Sequence, residues 1–295
     1  MMKKRTLAAA LAALTLTGTV LSACDNTGTG TETNSGTSIG TTTEAPETQA
    51  ETEAVLSNDP LDYEDPNWSE DALLVNVDSN WPNKISSSSV EEAVASAENF
   101  ALKYTGANVS DVLICIFEQT SLVPSDTQMW RATKYNMTEE NGIPVDYSSL
   151  EGLYKVYTEY DVDPYAIMLQ TLRENGIRPW VTLRMNDCHF GADETSFLRS
   201  DYYYEAKEKG YMISSAGTDY GYFNTCLDFG VAEVRERMLV YIEEVLSKYD
   251  MFGLELDFMR DITSFDYLNN PDCAQIMNDF MREVRKLTDV AASKP

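Results

Sequence analysis

A short buried strand that ends in charge is predicted for residues 249–260, Tyr249-Asp250-Met251-Phe252-Gly253-Leu254-Glu255-Leu256-Asp257-Phe258-Met259-Arg260. Side chains alternate between the two faces of a strand. Leu254, Leu256 and Phe258 are therefore expected to pack on helices. Glu255 and Asp257 share the opposite face, toward whatever the sheet encloses. A buried carboxylate is costly unless it is paired, solvated or used, so both are predicted to be catalytic.

Strand-like and helix-like segments alternate along the chain before and after this stretch. The remaining strands are predicted at 72–78, 111–117 and 178–187, and helices are predicted to begin near 89, 163, 231 and 270. The order β-α-β-α-β-α-β-α predicts an α/β fold with a parallel sheet wrapped by helices. All four strands end in polar residues, and long loops follow the second and third strands. This pattern is typical of a (β/α)8 TIM-type barrel with its site at the carboxyl ends of the strands.

The number of predicted βα units is smaller than a whole barrel needs. Four units are present, whereas a barrel needs about eight. We therefore predict the first half of a barrel over residues 58–295, incomplete at the C-terminus. The alternatives are a complete, smaller α/β domain, or a doubly wound sheet, which follows the same site rule. Against the doubly wound sheet, no glycine-rich phosphate turn follows the first strand.

The N-terminus has the composition of a targeting segment rather than of a folded element. A basic start and a short apolar run lead to Leu21-Ser22-Ala23-Cys24, which resembles the bacterial lipobox. Residues 1–23 are predicted to be a lipoprotein signal peptide, with Cys24 the lipidated residue. The alternative is an ordinary secretory signal cut near Ala23. Residues 24–57 are rich in Thr, Gly, Ser and Glu and are predicted to be a disordered tether. Both alternatives place the protein outside the cytoplasm, and lipidation would hold it on the cell membrane.

Composition limits the partners and cofactors of the chain. Its net charge is −26, and removal of residues 1–23 takes away three cations and no acids. Phosphates would be repelled by so acidic a body, so nucleic acid is not expected as a partner. No Cys or His cluster has the spacing of a zinc site, and no cofactor motif is present, so neither a metal nor a cofactor is predicted. Cys188 and Cys226 lie in loop-like sequence and could pair in an oxidising compartment, which sequence alone leaves open.

Polar side chains at the strand ends supply candidates for substrate binding. Arg184 and Asn186 alternate inward on the third strand, where Arg184 is predicted to pair with Glu255 or Asp257 and Asn186 to bond a sugar hydroxyl. The remaining candidates open onto the same mouth: His189, Asp78, Glu118 and Arg260. For Glu255 the alternative is an interior acid paired with Arg184 or Arg260. For His189 the alternative is an exposed loop residue.

Aromatic residues are frequent in the long loops. Exposed rings offer apolar platforms for the faces of sugar rings, whereas buried rings merely pack loops onto the rim. Most of these aromatics are assigned to packing. Trp81 and Trp130 are predicted to be the exceptions that bind substrate.

Three motifs together resemble the family-10-like glycosyl hydrolases, which are barrel proteins and often exported. The motifs are Arg184-Met185-Asn186-Asp187 with His189, Leu227-Asp228-Phe229-Gly230 leading into Glu233-Val234-Arg235-Glu236, and Tyr249-Asp250 with Gly253 to Arg260. The resemblance covers residues 70–290 and is densest over 227–260. It implies hydrolysis of a glycosidic bond in a carbohydrate substrate. A looser similarity to family 18 chitinases lacks their full Asp-rich motif and its final Glu.

The predicted function is therefore a surface-anchored glycosidase that acts on polysaccharide or cell-wall glycan, with Asp257 and Glu255 as its carboxylates. The alternative is a non-enzymatic glycan-binding lipoprotein. A third hypothesis is an inactive fragment, because catalytic partners in such barrels often come from later strands.

Overall fold

The structure is a computed structural model that describes residues 73–189, 196–213 and 225–293. The predicted signal peptide, the predicted lipidation site Cys24, the predicted tether and the predicted start of the body near residue 58 lie outside the described residues. None of the helices in the described part of the chain is long and apolar enough to cross a membrane.

Four parallel strands form the main sheet, in the order in which they occur along the chain. The strands are β1 (Leu73–Val77), β2 (Val109–Phe117), β5 (Arg178–Arg184) and β6 (Gly253–Asp257), while β3 (Glu139–Glu140) and β4 (Ile143–Pro144) form a small antiparallel hairpin after β2. Sequential parallel neighbours joined by helices are the arrangement that the alternation of segments predicts. The predicted α/β fold with a parallel sheet is confirmed.

Six α-helices accompany the strands in the described ranges of the chain. They are α1 (Val90–Leu102), α2 (Glu151–Thr158), α3 (Pro164–Glu174), α4 (Asp201–Lys209), α5 (Ala232–Lys248) and α6 (Cys273–Ala292). Local signals set several ends: the Ser89 hydroxyl accepts a hydrogen bond from the Glu92 N–H at the start of α1, and the Asp163 carboxylate accepts one from the Ala166 N–H at the start of α3. Gly176 follows α3 with a φ of 78°, a conformation that glycine adopts without strain.

The two segments predicted as long loops contain regular structure that the sequence pattern did not indicate. The first, residues 118–148, holds the β3–β4 hairpin, and the second, residues 186–228, holds α4; α2 lies directly after the first. Helix α4 has few apolar residues, so its sequence lacks a helical stripe. It is fixed instead by its ends, because the Ser200 hydroxyl caps its first turn and Gly210 ends it with a φ of 72°.

One face of the sheet is covered by helices and forms the core. The buried residues of this face interleave with buried residues from α1, α3, α5 and α6; the strand contribution is Val77, Val112, Ile114, Ile116, Val181 and Leu183. Leu254, Leu256 and Phe258 pack at the edge of the same core. The predicted assignment of the two faces of β6 is therefore confirmed.

The opposite face is concave. The Asn76 amide on β1 donates a hydrogen bond of 3.1 Å to Glu255 on β6, although β2 and β5 lie between these strands. Three strand spacings in a flat sheet amount to about 14 Å, which is longer than these two side chains bridge with one hydrogen bond. The sheet must therefore curve around this face, as part of a barrel wall does.

The first residue of β6 is glycine because the indole ring of Trp180 occupies the space that a Cβ would need. A Cβ added at Gly253 would lie 2.2 Å from Cζ3 of Trp180 on the neighbouring strand. The indole is held in place because its N–H donates a hydrogen bond of 2.8 Å to the Asp111 carboxylate. The ring and the glycine together fill the deep end of the concave face.

We predict that Gly253→Ala lowers the free energy of unfolding by about 1–3 kcal/mol, because overpacking forces the indole or the strand to move. Urea denaturation of the wild type and the variant measures this change. In the Trp180→Leu background the same substitution should cost much less. An equal cost in both backgrounds would show that the ring is not the cause.

Candidate functional site

Arg184, at the end of β5, holds together the polar carboxyl edge of the sheet. Its guanidinium pairs with Asp78 after β1, with Glu118 after β2 at 2.6 Å, and with Asp187 at 3.2 Å. The side chain of Arg184 is only 11% exposed, so its contacts with the buried Glu118 and Asp187 are weakly screened. The prediction that Arg184 pairs with Glu255 or Asp257 is wrong, because three other carboxylates already surround it.

Asp78 is the outermost of these carboxylates, with a side chain that is 60% exposed. Although partial burial opposes the effect, the Ser79 N–H and the Arg184 charge lower the pKa of Asp78. Asp78 therefore stays ionised at the rim, where it is open to solvent.

Glu118 is a buried ion-pair residue rather than an open carboxylate. It is 5% exposed and accepts hydrogen bonds from Arg131 at 2.5 Å, from Arg184, and from the Ser79 hydroxyl. Removing one partner from such a cluster leaves buried charge uncompensated. The prediction that Glu118 faces substrate is corrected: its oxygens are engaged by two arginines that anchor the loop after β2.

Asn186 is likewise used by the fold. Its amide nitrogen donates to the carbonyls of Leu227 and Thr263 at 2.8 and 3.1 Å, and its amide oxygen accepts from the Leu227 N–H at 2.8 Å. These bonds tie the end of β5 to the segments before α5 and after β6. The predicted bond to a sugar hydroxyl is therefore wrong, since the amide is 4% exposed and satisfied by main chain.

Neither of the two tryptophans singled out is an exposed platform. Trp81 is completely buried, donates its N–H to the Cys115 carbonyl at 2.7 Å and packs on Tyr165. Trp130 is 8% exposed and lies between Tyr154, which stacks on it, and Tyr157, which meets it edge-on. The prediction that Trp81 and Trp130 bind substrate is wrong; both rings pack the loops after β1 and β2.

His189 lies at the same edge and is oriented by a buried carboxylate. Its Nδ1 lies 2.7 Å from Oδ1 of Asp187, and the same oxygen accepts the His189 main-chain N–H at 2.9 Å. The Asp187 side chain is fully buried, and that of His189 is 28% exposed. Arg260 approaches from the turn after β6, with Nη2 2.9 Å from His189 Nδ1. The structure thus brings together His189 and Arg260, two of the predicted substrate-binding residues.

Glu255 and Asp257 lie on the concave face, as the alternation predicts. Glu255 accepts hydrogen bonds from the Thr182 hydroxyl at 2.6 Å and from Asn76. Burial raises the pKa of Glu255, the Asp257 charge adds to the rise, and the two hydrogen bonds oppose it. Asp257 Oδ1 accepts from the Met259 and Arg260 N–H groups at 2.8 and 3.1 Å. These main-chain donors fix the carboxylate at the mouth of the curved sheet.

The carboxylates on the concave face and its rim separate into two classes. The first class is ion-paired: Asp78, Asp111, Glu118 and Asp187 each contact an arginine. The second class has no cationic side chain of the described residues within 4.0 Å: Glu255 and Asp257 on β6, and Asp261 in the turn after it. Both positions that the strand pattern singled out therefore belong to the unpaired class, so the alternative pairing of Glu255 is not observed.

Several residues of the site were not found from the sequence. Asp187 was quoted only as part of a motif and Asp261 was not named, and with His189 they form a group that could hold a metal ion. The Asp187-x-His189 spacing directly after a strand was an available signal. No sequence signal marked Asp261, which lies four residues after Asp257. Only the turn after β6 brings it back to the end of β5.

Cys188 and Cys226 are buried neighbours beneath this group. Both are free thiols, and they pack together with Ile213. A hydrogen bond to Cys188, together with burial, raises the pKa of Cys226. The contact agrees with the pairing that the sequence left open, while no disulfide joins the two thiols in this structure.

Comparisons with known proteins give little further guidance. No protein-family model matches the chain, and no curated protein matches it. Among solved structures, the chain is similar to alpha-L-fucosidase isoenzyme 2 from Paenibacillus thiaminolyticus, with 14% identity and a TM-score of 0.40 over 74% of this chain and 30% of that one. The chain thus spans less than a third of the fucosidase. The resemblance to family-10-like hydrolases stays a prediction.

We predict that Glu255→Gln raises the free energy of unfolding at pH 7. Because the folded-state pKa is raised, the native protein binds the Glu255 proton more tightly than the unfolded chain does. The free energy of unfolding therefore falls as the pH rises from 4.5, the ordinary pKa of a glutamate, through the pKa of Glu255 in the folded state. The glutamine variant avoids that loss.

Urea denaturation at a series of pH values measures the difference between the two proteins. It should be largest at neutral pH and disappear below pH 4.5, where Glu255 is protonated in both states. Glu98→Gln, at an exposed position on α1, serves as the matched control and should show no such pattern. A Glu255→Gln variant that is less stable at pH 7 would contradict the prediction.

Proposed function

We propose that this chain is a glycoside hydrolase-like protein that acts on polysaccharide or cell-wall glycan, with Asp257 and Glu255 as its catalytic carboxylates. One observation carries the proposal. These are the two carboxylates on the strands of the concave face that the arginines leave unpaired among the described residues, and they lie where parallel α/β folds place their sites. The sequence resemblance to family-10-like glycosyl hydrolases supports the same activity.

The different environments of the two carboxylates suit different roles in hydrolysis. Glycosidases commonly use a protonated acid for the leaving oxygen and an ionised carboxylate as nucleophile or base. Burial raises the pKa of Glu255, which favours the acid role. Asp257 is closer to the mouth and is oriented by two main-chain donors, which suits the ionised role. Asp78 and Arg260 at the rim are then positioned to bind sugar hydroxyls.

The proposal extends to the fold. A concave parallel sheet with its polar edge at the carboxyl ends is what one part of a TIM-type barrel contains. The hydrogen bond from Asn76 to Glu255 supports this assignment, because a flat sheet would not permit it.

We predict that Asp257→Asn lowers glycan hydrolysis at least about 100-fold, the usual contribution of a positioned acid, base or nucleophile. The variant keeps the shape and the main-chain hydrogen bonds of the aspartate, so its melting temperature should stay close to that of the wild type. Release of reducing ends from isolated cell-wall glycan and from a panel of polysaccharides measures the activity of the full-length protein.

Asp279→Asn on the exposed surface of α6 is the matched control, since it removes the same charge far from the concave face. Its activity should equal that of the wild type. If Asp257→Asn turns over glycan as fast as this control, the assignment of Asp257 is wrong.

A glycan-binding lipoprotein without activity is the second candidate function. The loop after β6 favours it, because several large apolar side chains there are exposed: Met259, Ile262, Tyr267 and Leu268. Tyr267 is 59% exposed and offers a ring of the kind that stacks on sugars. Glycan retention by the wild type without turnover, weakened by Tyr267→Ala, would support this function instead.

Anchoring at the cell membrane is also part of the proposal, and it rests on the lipobox at Cys24. We predict that Cys24→Ser moves the protein from the membrane fraction to the soluble fraction of its host, because no acyl chain can then be attached. Immunoblots of the two fractions measure the change. Cys273→Ser is the control and should remain with the membranes. A Cys24→Ser protein that stays membrane-bound would exclude the anchor.

A further inference from the structure

Three side chains at the carboxyl edge converge in a way that the proposed hydrolysis does not use. Asp187 and His189 follow β5, and Asp261 follows β6. One ligand atom from each residue lies within 4.8 Å of the others. Asp187 and Asp261 are buried, whereas His189 reaches partly to solvent. Two buried carboxylates thus face one imidazole at the rim of the concave face.

Asp261 is the member of this group that the protein leaves uncompensated. Its side chain is buried, with 7% of the residue exposed, and the only hydrogen bond it accepts from described residues comes from the Cys188 N–H at 2.6 Å. No cationic side chain in the described ranges lies within 4.0 Å of it. A buried carboxylate without a cation is costly, and the neighbouring charge of Asp187 increases that cost.

We propose that Asp187, His189 and Asp261 bind a divalent transition-metal ion of the Zn²⁺ type. The positive charge of the ion would compensate the two buried carboxylates. An imidazole ligand favours Zn²⁺ and similar ions over Mg²⁺ and Ca²⁺, which prefer all-oxygen sites. Three protein ligands leave a fourth position open for water or a substrate oxygen.

The distances require only small movements. Bonds to Zn²⁺ are about 2.0–2.2 Å long, so ligand atoms on one ion lie closer together than the 4.8 Å limit of this group. Asp187 Oδ1 and His189 Nδ1 are 2.7 Å apart and would separate slightly to admit the ion. Arg184 contacts the other oxygen of Asp187, Oδ2, and can stay in place.

The Arg260 side chain must move for the ion to bind. Its Nη2 lies 2.9 Å from His189 Nδ1, and its Nε lies 4.0 Å from Asp187 Oδ2. The Arg260 side chain is 37% exposed, so it can turn toward solvent when a cation arrives. In the absence of metal this guanidinium supplies part of the charge that the ion would bring.

The test uses the untagged full-length protein in detergent, because an affinity tag of histidines would itself bind zinc. The protein is incubated with Zn²⁺, dialysed, and its metal content and binding isotherm are measured. We expect a single equivalent to be retained. Asp261→Asn and His189→Gln should each weaken binding at least about tenfold, since even residues outside the ligand set change metal affinity by about 10–100-fold. Asp279→Asn should bind as the wild type does.

A second measurement does not depend on how the variants fold. His189 is the only histidine of the chain, so its imidazole signals are unambiguous in a nuclear magnetic resonance spectrum of the wild type. Zn²⁺ should shift these signals, and Mg²⁺ at the same concentration should not. The proposal is overturned if no zinc is retained, if the imidazole signals do not move, or if both ligand variants bind zinc as tightly as the control. The glycosidase proposal can fail without affecting any of these results.

Discussion

The carboxyl edge of the sheet depends on one shared cation. Arg184 lies between carboxylates that come from three different positions in the chain: Asp78, Glu118 and Asp187. Without the guanidinium, these acids would repel one another where the strands end side by side. Arg131 supports the arrangement from the loop after β2, through its second contact with Glu118. Ion pairs therefore hold the loops around the concave face where they leave the strands, and aromatic packing holds them farther from the sheet.

This network determines which side chains remain available for chemistry. It engages Glu118, the neighbouring amide of Asn186 is bonded to main chain, and the tryptophans serve the loop packing. Two half-buried side chains remain available on the concave face. Glu255 accepts a hydrogen bond from the Thr182 hydroxyl, and Asp257 lies at the mouth. The curvature that lets Asn76 reach Glu255 brings a polar side chain of one edge strand, β1, to this pair on the other, β6.

The sequence predicted the framework of the fold and the two central carboxylates, because those depend on local periodicity. Alternation along β6 requires that Leu254 and Glu255 point in opposite directions, whatever lies around them. The partners of Arg184 depend instead on the distances between strand ends, which no single segment encodes. Helix α4 escaped prediction for a related reason: its caps define it, while its middle lacks an apolar stripe. Asp261 was missed because only the turn after β6 brings it next to Cys188.

The position of Glu255 argues for function on energetic grounds. An interior acid that served the fold alone would gain from an arginine, as Asp111 does at the deep end, where Arg178 Nη2 lies 2.6 Å from its carboxylate. Glu255 has two neutral hydrogen-bond donors instead, and burial raises its pKa. Its ionisation therefore opposes folding, and no described contact recovers that cost for stability. Groups that destabilise the native state in this way concentrate at sites where a shifted pKa is needed for the chemistry. Asp261 is buried and also lacks a cationic partner among the described residues, and this separates both residues from the paired acids that hold the edge together.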